Sequence, residues 1–144
     1  MADDLILLVE DDPDDEELAL SALRKHDSCR VISVHDGVEA LEYLDAATAK
    51  ADTTEYPRLI LLDLKLPRLD GVETLKRIRS NPRTALIPVV MMTSSLEQED
   101  LLRSYKTGAN SYIRKPIDFD EFRDVVRHLG RYWLRMNEPA PNRN

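Results

Sequence analysis

Leu5-Ile-Leu-Leu-Val-Glu-Asp-Asp-Pro13 is the stretch that decides the fold. An unbroken apolar run from Leu5 to Val9 ends abruptly in acids and a proline. Its length and β-branched members suit a strand buried on both faces. Asp12 can cap a helix, and Pro13 suits the first helical position. Leu18, Ala19, Ala22 and Leu23 then give that helix an apolar face.

The same grammar repeats along the chain. Val31–Val34, Arg58–Leu62, Ile87–Met92 and Ser111–Ile113 read as further strands. A helix follows Gly37, with Val38, Leu41 and Leu44 inward. Another carries Val72, Leu75 and Ile78 and stops at Asn81-Pro82. Glu97 to Thr107 forms a fourth helix, closed by Gly108 as a left-handed terminator. Asp118 opens the last one. Strands alternating with helices in this way predict an α/β fold, a doubly wound five-stranded parallel sheet covered on both faces. Ala46 to Pro57 reads as a polar surface connection. Residues 1–136 read as one domain with an extended last helix, and 137–144 as a flexible tail.

Composition narrows the function. The chain has 144 residues, 20 Lys plus Arg against 27 Asp plus Glu, and a net charge of −7. That balance argues against a nucleic-acid partner, which a basic stripe would attract. No apolar run approaches the roughly 20 residues of a membrane span. The N-terminus has no secretory pattern, and Cys29 stands alone, which together point to the reducing cytoplasm.

In open parallel sheets, ligands bind beyond the carboxyl ends of the strands. Those positions here are Glu10-Asp11-Asp12, Asp63, Thr93-Ser94 and Lys115-Pro116. Carboxylates gathered at one edge repel each other unless a cation or proton joins them. A hard divalent ion such as Mg²⁺ prefers oxygen ligands and takes only one or two carboxylates. With Lys115 beside it, the edge becomes a receptor for a phosphoryl group, whose transfer depends on positioning and charge neutralisation. Asp63, alone at the end of a central strand, is the candidate nucleophile that would form an acyl phosphate. Asp12 is better read as a helix cap than as a ligand.

Glu10-Asp11, Leu62-Asp63-Leu64-Lys65-Leu66-Pro67 with Asp70-Gly71, Met92-Thr93-Ser94 and Lys115-Pro116, in this order and spacing, resemble the receiver domain of two-component response regulators. The resemblance spans about residues 5 to 130. It implies a flavodoxin-like (βα)5 sheet in strand order 2-1-3-4-5, and phosphorylation of Asp63 by a sensor histidine kinase or phosphotransfer protein. It implies Mg²⁺, with Mn²⁺ as an alternative, held by Asp11, Asp63 and the Lys65 backbone carbonyl, with Glu10 acting through water. Lys115 and Thr93 would contact the phosphoryl group. Thr93 and Tyr112 would form the switch, and the bond before Pro116 would be cis.

Lys65 lies near the approach of water to an aspartyl phosphate in this family, so it is a candidate modulator of dephosphorylation. In the last helix, Phe119, Phe122, Val126, Leu129, Trp133 and Met136 are spaced 3, 4, 3, 4 and 3, an a/d seam. Val125, Tyr132 and Leu134 add apolar surface beyond one stripe. The helix should continue to about Arg135, past Gly130. Phe122, Val126, Leu129, Tyr132 and Trp133 are candidates for a homodimer interface. This tail and the Ala46–Pro57 loop resemble single-domain regulators that partner phytochrome-type sensor kinases. Three alternatives compete. A phosphohydrolase would commonly carry an acid, not Lys65, two residues after its nucleophile. A nucleotide or flavin site would need a Gly-rich loop where Glu10-Asp11-Asp12-Pro13 stands. The third is a degenerate receiver acting as a phosphorylation-independent scaffold.

Overall fold

The computed structural model describes residues 4–24, 29–50 and 55–141. The middle of the Ala46–Pro57 connection and the last three residues of the tail lie outside them. The elements are β1 (Asp4–Val9), α1 (Pro13–Leu23), β2 (Cys29–Val34), α2 (Gly37–Thr48), β3 (Leu59–Leu62), α3 (Gly71–Ser80), β4 (Val89–Thr93), α4 (Gln98–Thr107), β5 (Ser111–Arg114) and α5 (Phe119–Arg131). A π-helical turn, Tyr132–Met136, extends α5. The five strands form one parallel sheet in the order β2-β1-β3-β4-β5.

The unbroken apolar strands are explained by a core on each face. Leu7 and Val9 of β1 join Ile60 and Leu62 of β3 and Val89 and Met91 of β4, packed under α2 and α3. Ile6, Leu8, Leu59, Leu61, Val90 and Met92 point the other way, under α1 and α5. Alternate residues face opposite layers, so both must be apolar. Each such side chain contributes about 1.5–3 kcal/mol on full burial.

Capping follows the expected residues. Asp12 accepts from the amides of Asp14 and Asp15, ahead of Pro13. Asp36, Asp70 and Asp118 cap α2, α3 and α5 through side-chain oxygens. Gly108 ends α4 at φ 115°, and the Arg79 side chain lies over it, donating to its carbonyl at 2.9 Å.

Some boundaries differ from the sequence reading. β2 begins at Cys29 rather than Val31. Helix α2 runs to Thr48, into the segment expected to be loop. β4 starts at Val89, because Ile87 and Pro88 precede the ladder; Pro88 has no amide to donate and supplies only a carbonyl, to the Ile60 amide. The last helix does pass Gly130. Its π turn places Leu134 in the core and leaves Tyr132 and Met136 exposed.

Candidate functional site

Glu10, Asp11, Asp63, Thr93 and Lys115 arrive at one edge because each stands at the carboxyl end of a strand or just past it. The ladder fixes their depth. The Glu10 amide donates to the Val34 carbonyl, that of Asp63 to Val9, and that of Lys115 to Thr93. Glycine makes room beside the central acid. A Cβ at Gly71 would lie 2.2 Å from the Asp63 carbonyl oxygen, so only glycine lets α3 begin so close to the end of β3.

Lys115 is the centre of the site. Its ammonium lies 2.7 Å from Glu10 Oε1, 2.8 Å from Asp15 Oδ2 and 3.0 Å from Asp63 Oδ2. Burial by itself would lower the lysine pKa. The Asp15 hydrogen bond, the Asp63 charge and Glu10 outweigh it and hold the ammonium form well above its ordinary range. For Glu10, burial is the largest influence and the Asp63 charge adds to it. Together they raise its pKa against the opposing pull of Lys115.

Carboxylate oxygens of Glu10, Asp11 and Asp63 all lie within 4.8 Å of one another. With Asp15, which shares the Lys115 ammonium with Glu10 and Asp63, the edge holds four carboxylates. The residues therefore fit a hard divalent cation, which prefers oxygen ligands. Asp11 is exposed while Glu10 and Asp63 are buried, so the open side of the cluster faces solvent.

Thr93 is fully buried at the end of β4, and its hydroxyl oxygen accepts from the Ser95 amide at 3.2 Å. Tyr112 packs against the α2–α3 core, and its hydroxyl is buried with no hydrogen-bond partner. The Lys65 amide donates to Asp63 Oδ1 at 3.3 Å, but its side chain leans towards Asp100 on α4, 3.7 Å away.

Two expectations are corrected. There is no cis peptide bond among the described residues, so the Lys115–Pro116 bond is trans. Lys115 reaches all three carboxylates from that conformation, which X–Pro bonds also favour intrinsically. Phe122 and Val126, expected at an interface, are buried in the α1–α5 core. They serve the docking stripe of α5 and present nothing to a partner. Of the other seam residues, Leu129 and Trp133 are half-buried and Tyr132 is exposed.

Sequence reasoning missed Asp15 and Asp100. Asp15 was one acid in a run from Asp11 to Glu17, and only the orientation of the first turn of α1 brings it to Lys115. Asp100 resembled an ordinary acid in a helical first turn.

The family model for the response regulator receiver domain matches residues 6–127. The probable methanogenesis regulatory protein FilR2 of Methanothrix harundinacea is 37% identical over 139 residues, 95% of this chain and 88% of FilR2. Response regulator Rcp1 of Synechocystis is 34% identical over 131 residues, 90% of this chain and 88% of Rcp1. Among solved structures, the phosphorylated cyanobacterial phytochrome response regulator RcpA superposes with a TM-score of 0.88 at 34% identity, over 97% of this chain and 100% of RcpA. The Mn²⁺-bound form of Rcp1 gives 0.84 at 32%, over 96% and 99%. The bacteriophytochrome response regulator RtBRR is 45% identical at a TM-score of 0.68, over 96% and 85%. With the receiver sheet order and these likenesses over nearly its full length, the chain belongs to the response regulator receiver family.

Proposed function

We propose that Asp63 is the phosphoacceptor of this receiver and takes its phosphoryl group from a phosphohistidine on a sensor histidine kinase or phosphotransfer protein. The observation that carries this reading is the Lys115 ammonium held by Asp63, Glu10 and Asp15 at the sheet edge. An Asp63 carboxylate oxygen attacks phosphorus as the bond to the donor imidazole nitrogen breaks, and the nitrogen leaves with the electron pair. Lys115 neutralises charge on the phosphoryl oxygens. Asp11, Asp63 and the Lys65 carbonyl, with Glu10 acting through water, would hold Mg²⁺, or Mn²⁺ as in the Mn²⁺-bound Rcp1 relative. The ion would supply further charge neutralisation there.

The added phosphoryl group brings about −1.5 to −2 charge and strong acceptor oxygens. The Thr93 hydroxyl binds one of them only in the loaded state. This biases the β4–α4 loop and Tyr112 towards a second conformation. The output is altered protein binding, not turnover of a small substrate. No described helix is long and apolar enough to cross a membrane, and the net charge of −7 disfavours nucleic acid. The reading places the protein in the cytoplasm. Phytochrome-type kinases are the partner class that the RcpA and RtBRR likenesses favour. Homodimerisation would use the exposed Tyr132 and Met136 with the half-buried Leu129 and Trp133; light scattering showing only monomer, with and without a phosphoryl analogue, would remove it.

The test is phosphorylation by acetyl phosphate in Mg²⁺, read by intact mass beside Asp63→Ala and a chelator control. A single adduct that needs Mg²⁺ and is lost in the variant supports the reading. Absence of any adduct, together with failure to bind beryllofluoride, overturns it in favour of a phosphorylation-independent scaffold.

A further inference from the structure

Asp100 is a carboxylate that phosphotransfer does not use, yet it is only 7% exposed. It stands in the first turn of α4. Its Oδ2 accepts the Ser95 hydroxyl at 2.6 Å and lies 3.7 Å from the Lys65 ammonium. Its Oδ1 lies 3.4 Å from Arg103 Nη1. Ser95 in turn donates its amide to the Thr93 hydroxyl, and its own hydroxyl oxygen accepts from the Glu97 amide. One buried carboxylate therefore joins the loop after β3 to the loop after β4, on either side of the phosphoacceptor.

Lys65 has two anionic destinations. Its backbone amide is one hydrogen bond from Asp63, so its root is fixed beside the acceptor. Its side chain is 72% exposed. In the present conformation it points to Asp100. Once Asp63 carries a phosphoryl group, the new oxygens become a competing partner for the same ammonium.

We propose that Asp100 is a positioning residue that holds the Lys65 ammonium away from the aspartyl phosphate and thereby sets the lifetime of that bond. The proposal rests on Asp63 being the phosphoacceptor. In hydrolysis a water oxygen attacks phosphorus, the bond from phosphorus to the Asp63 oxygen breaks, and Asp63 leaves as a carboxylate. The protons of the water pass to inorganic phosphate and solvent. An ammonium lying across the phosphoryl oxygens occupies the path of that water. Tethered at Asp100, it leaves the path open.

The experiment prepares phosphorylated protein with acetyl phosphate and Mg²⁺, removes the donor, and follows loss of the adduct by intact mass. Wild type, Asp100→Asn, Lys65→Ala and the double variant are compared. Asn keeps an acceptor for Ser95 but drops the charge. Asp100→Asn is expected to lengthen the half-life about 2- to 5-fold, the range set by a partly exposed ion pair. In the Lys65→Ala background the same change should have no effect. An unchanged half-life in Asp100→Asn, or an equal change in both backgrounds, overturns the proposal and assigns Asp100 to the folding of α4 alone. If Asn disturbs the fold, Asp100→Ser replaces it with the same expectations. Absence of an adduct in wild type would instead overturn the Asp63 reading, and this proposal with it.

Discussion

The ammonium of Lys115 and the carboxylate of Glu10 lie 2.7 Å apart, with 7% and 6% of their side chains exposed. Asp15 and Asp63 share the same nitrogen. A buried cation serving three acids cannot be removed cheaply, because each acid is left without its partner. Lys115→Met is expected to destabilise the metal-free protein at neutral pH by about 3–5 kcal/mol. Urea unfolding with and without Mg²⁺ checks this, and added Mg²⁺ should recover part of the loss.

Glu10 makes stability depend on pH. Burial and the Asp63 charge push its pKa from 4.5 up to about 8. The folded state thus binds this proton more tightly than the unfolded chain does. The resulting stabilisation is complete below 4.5 and is lost as pH rises through about 8. Metal-free protein should show a falling melting temperature over that window, and Glu10→Gln should flatten the fall. Stabilisation by Mg²⁺ should grow with pH over the same range, since the ion competes with the proton.

Asp11 is the exposed member of the acidic cluster. Its replacement therefore disturbs the ion more than the core. Asp11→Asn is expected to weaken Mg²⁺ binding by at least about tenfold, a loss that even outer-shell partners of metals produce. Unfolding should stay near wild type. Calorimetric titration with Mg²⁺ reads the first quantity, and a melting curve in chelator the second.

The start of α3 is wedged against the phosphoacceptor. A methyl at Gly71 would meet the Asp63 carbonyl oxygen at 2.2 Å and the Leu64 Cα at 2.7 Å. Both are backbone atoms with nowhere to go. Gly71→Ala should cost about 1–3 kcal/mol and slow phosphorylation by displacing Asp63. A variant that keeps wild-type stability and rate would show that this contact is slack.

Tyr112 offers the opposite expectation. Its hydroxyl is buried without a partner, so deleting it breaks no hydrogen bond. Tyr112→Phe should leave stability unchanged or raise it by up to about 1 kcal/mol. A clear loss in chemical denaturation would mean that the hydroxyl is satisfied in solution.

What the chain reveals by itself follows from local rules. The unbroken apolar runs at Leu5–Val9 and Leu59–Leu62 declare strands covered on both faces, and Asp12-Pro13, Asp118 and Gly108 mark helix ends. Alternation of the two element types is enough for the parallel sheet, and the sheet puts Glu10, Asp11, Asp63, Thr93 and Lys115 at one edge. Tertiary structure alone decides the rest, because those features depend on how distant elements meet. Asp15 and Lys115 are a hundred residues apart in sequence, and only the packing of α1 beside α5 joins them. Lys65 and Asp100 meet only where the β3–α3 loop faces α4. A 3-4 spacing shows that the α5 stripe is apolar, but it cannot say what covers that stripe. Packing on the sheet consumes Phe122 and Val126, and the π turn rotates Leu134 inward and Tyr132 out. Periodicity reads one element at a time, whereas burial and charge pairing belong to the approach of two.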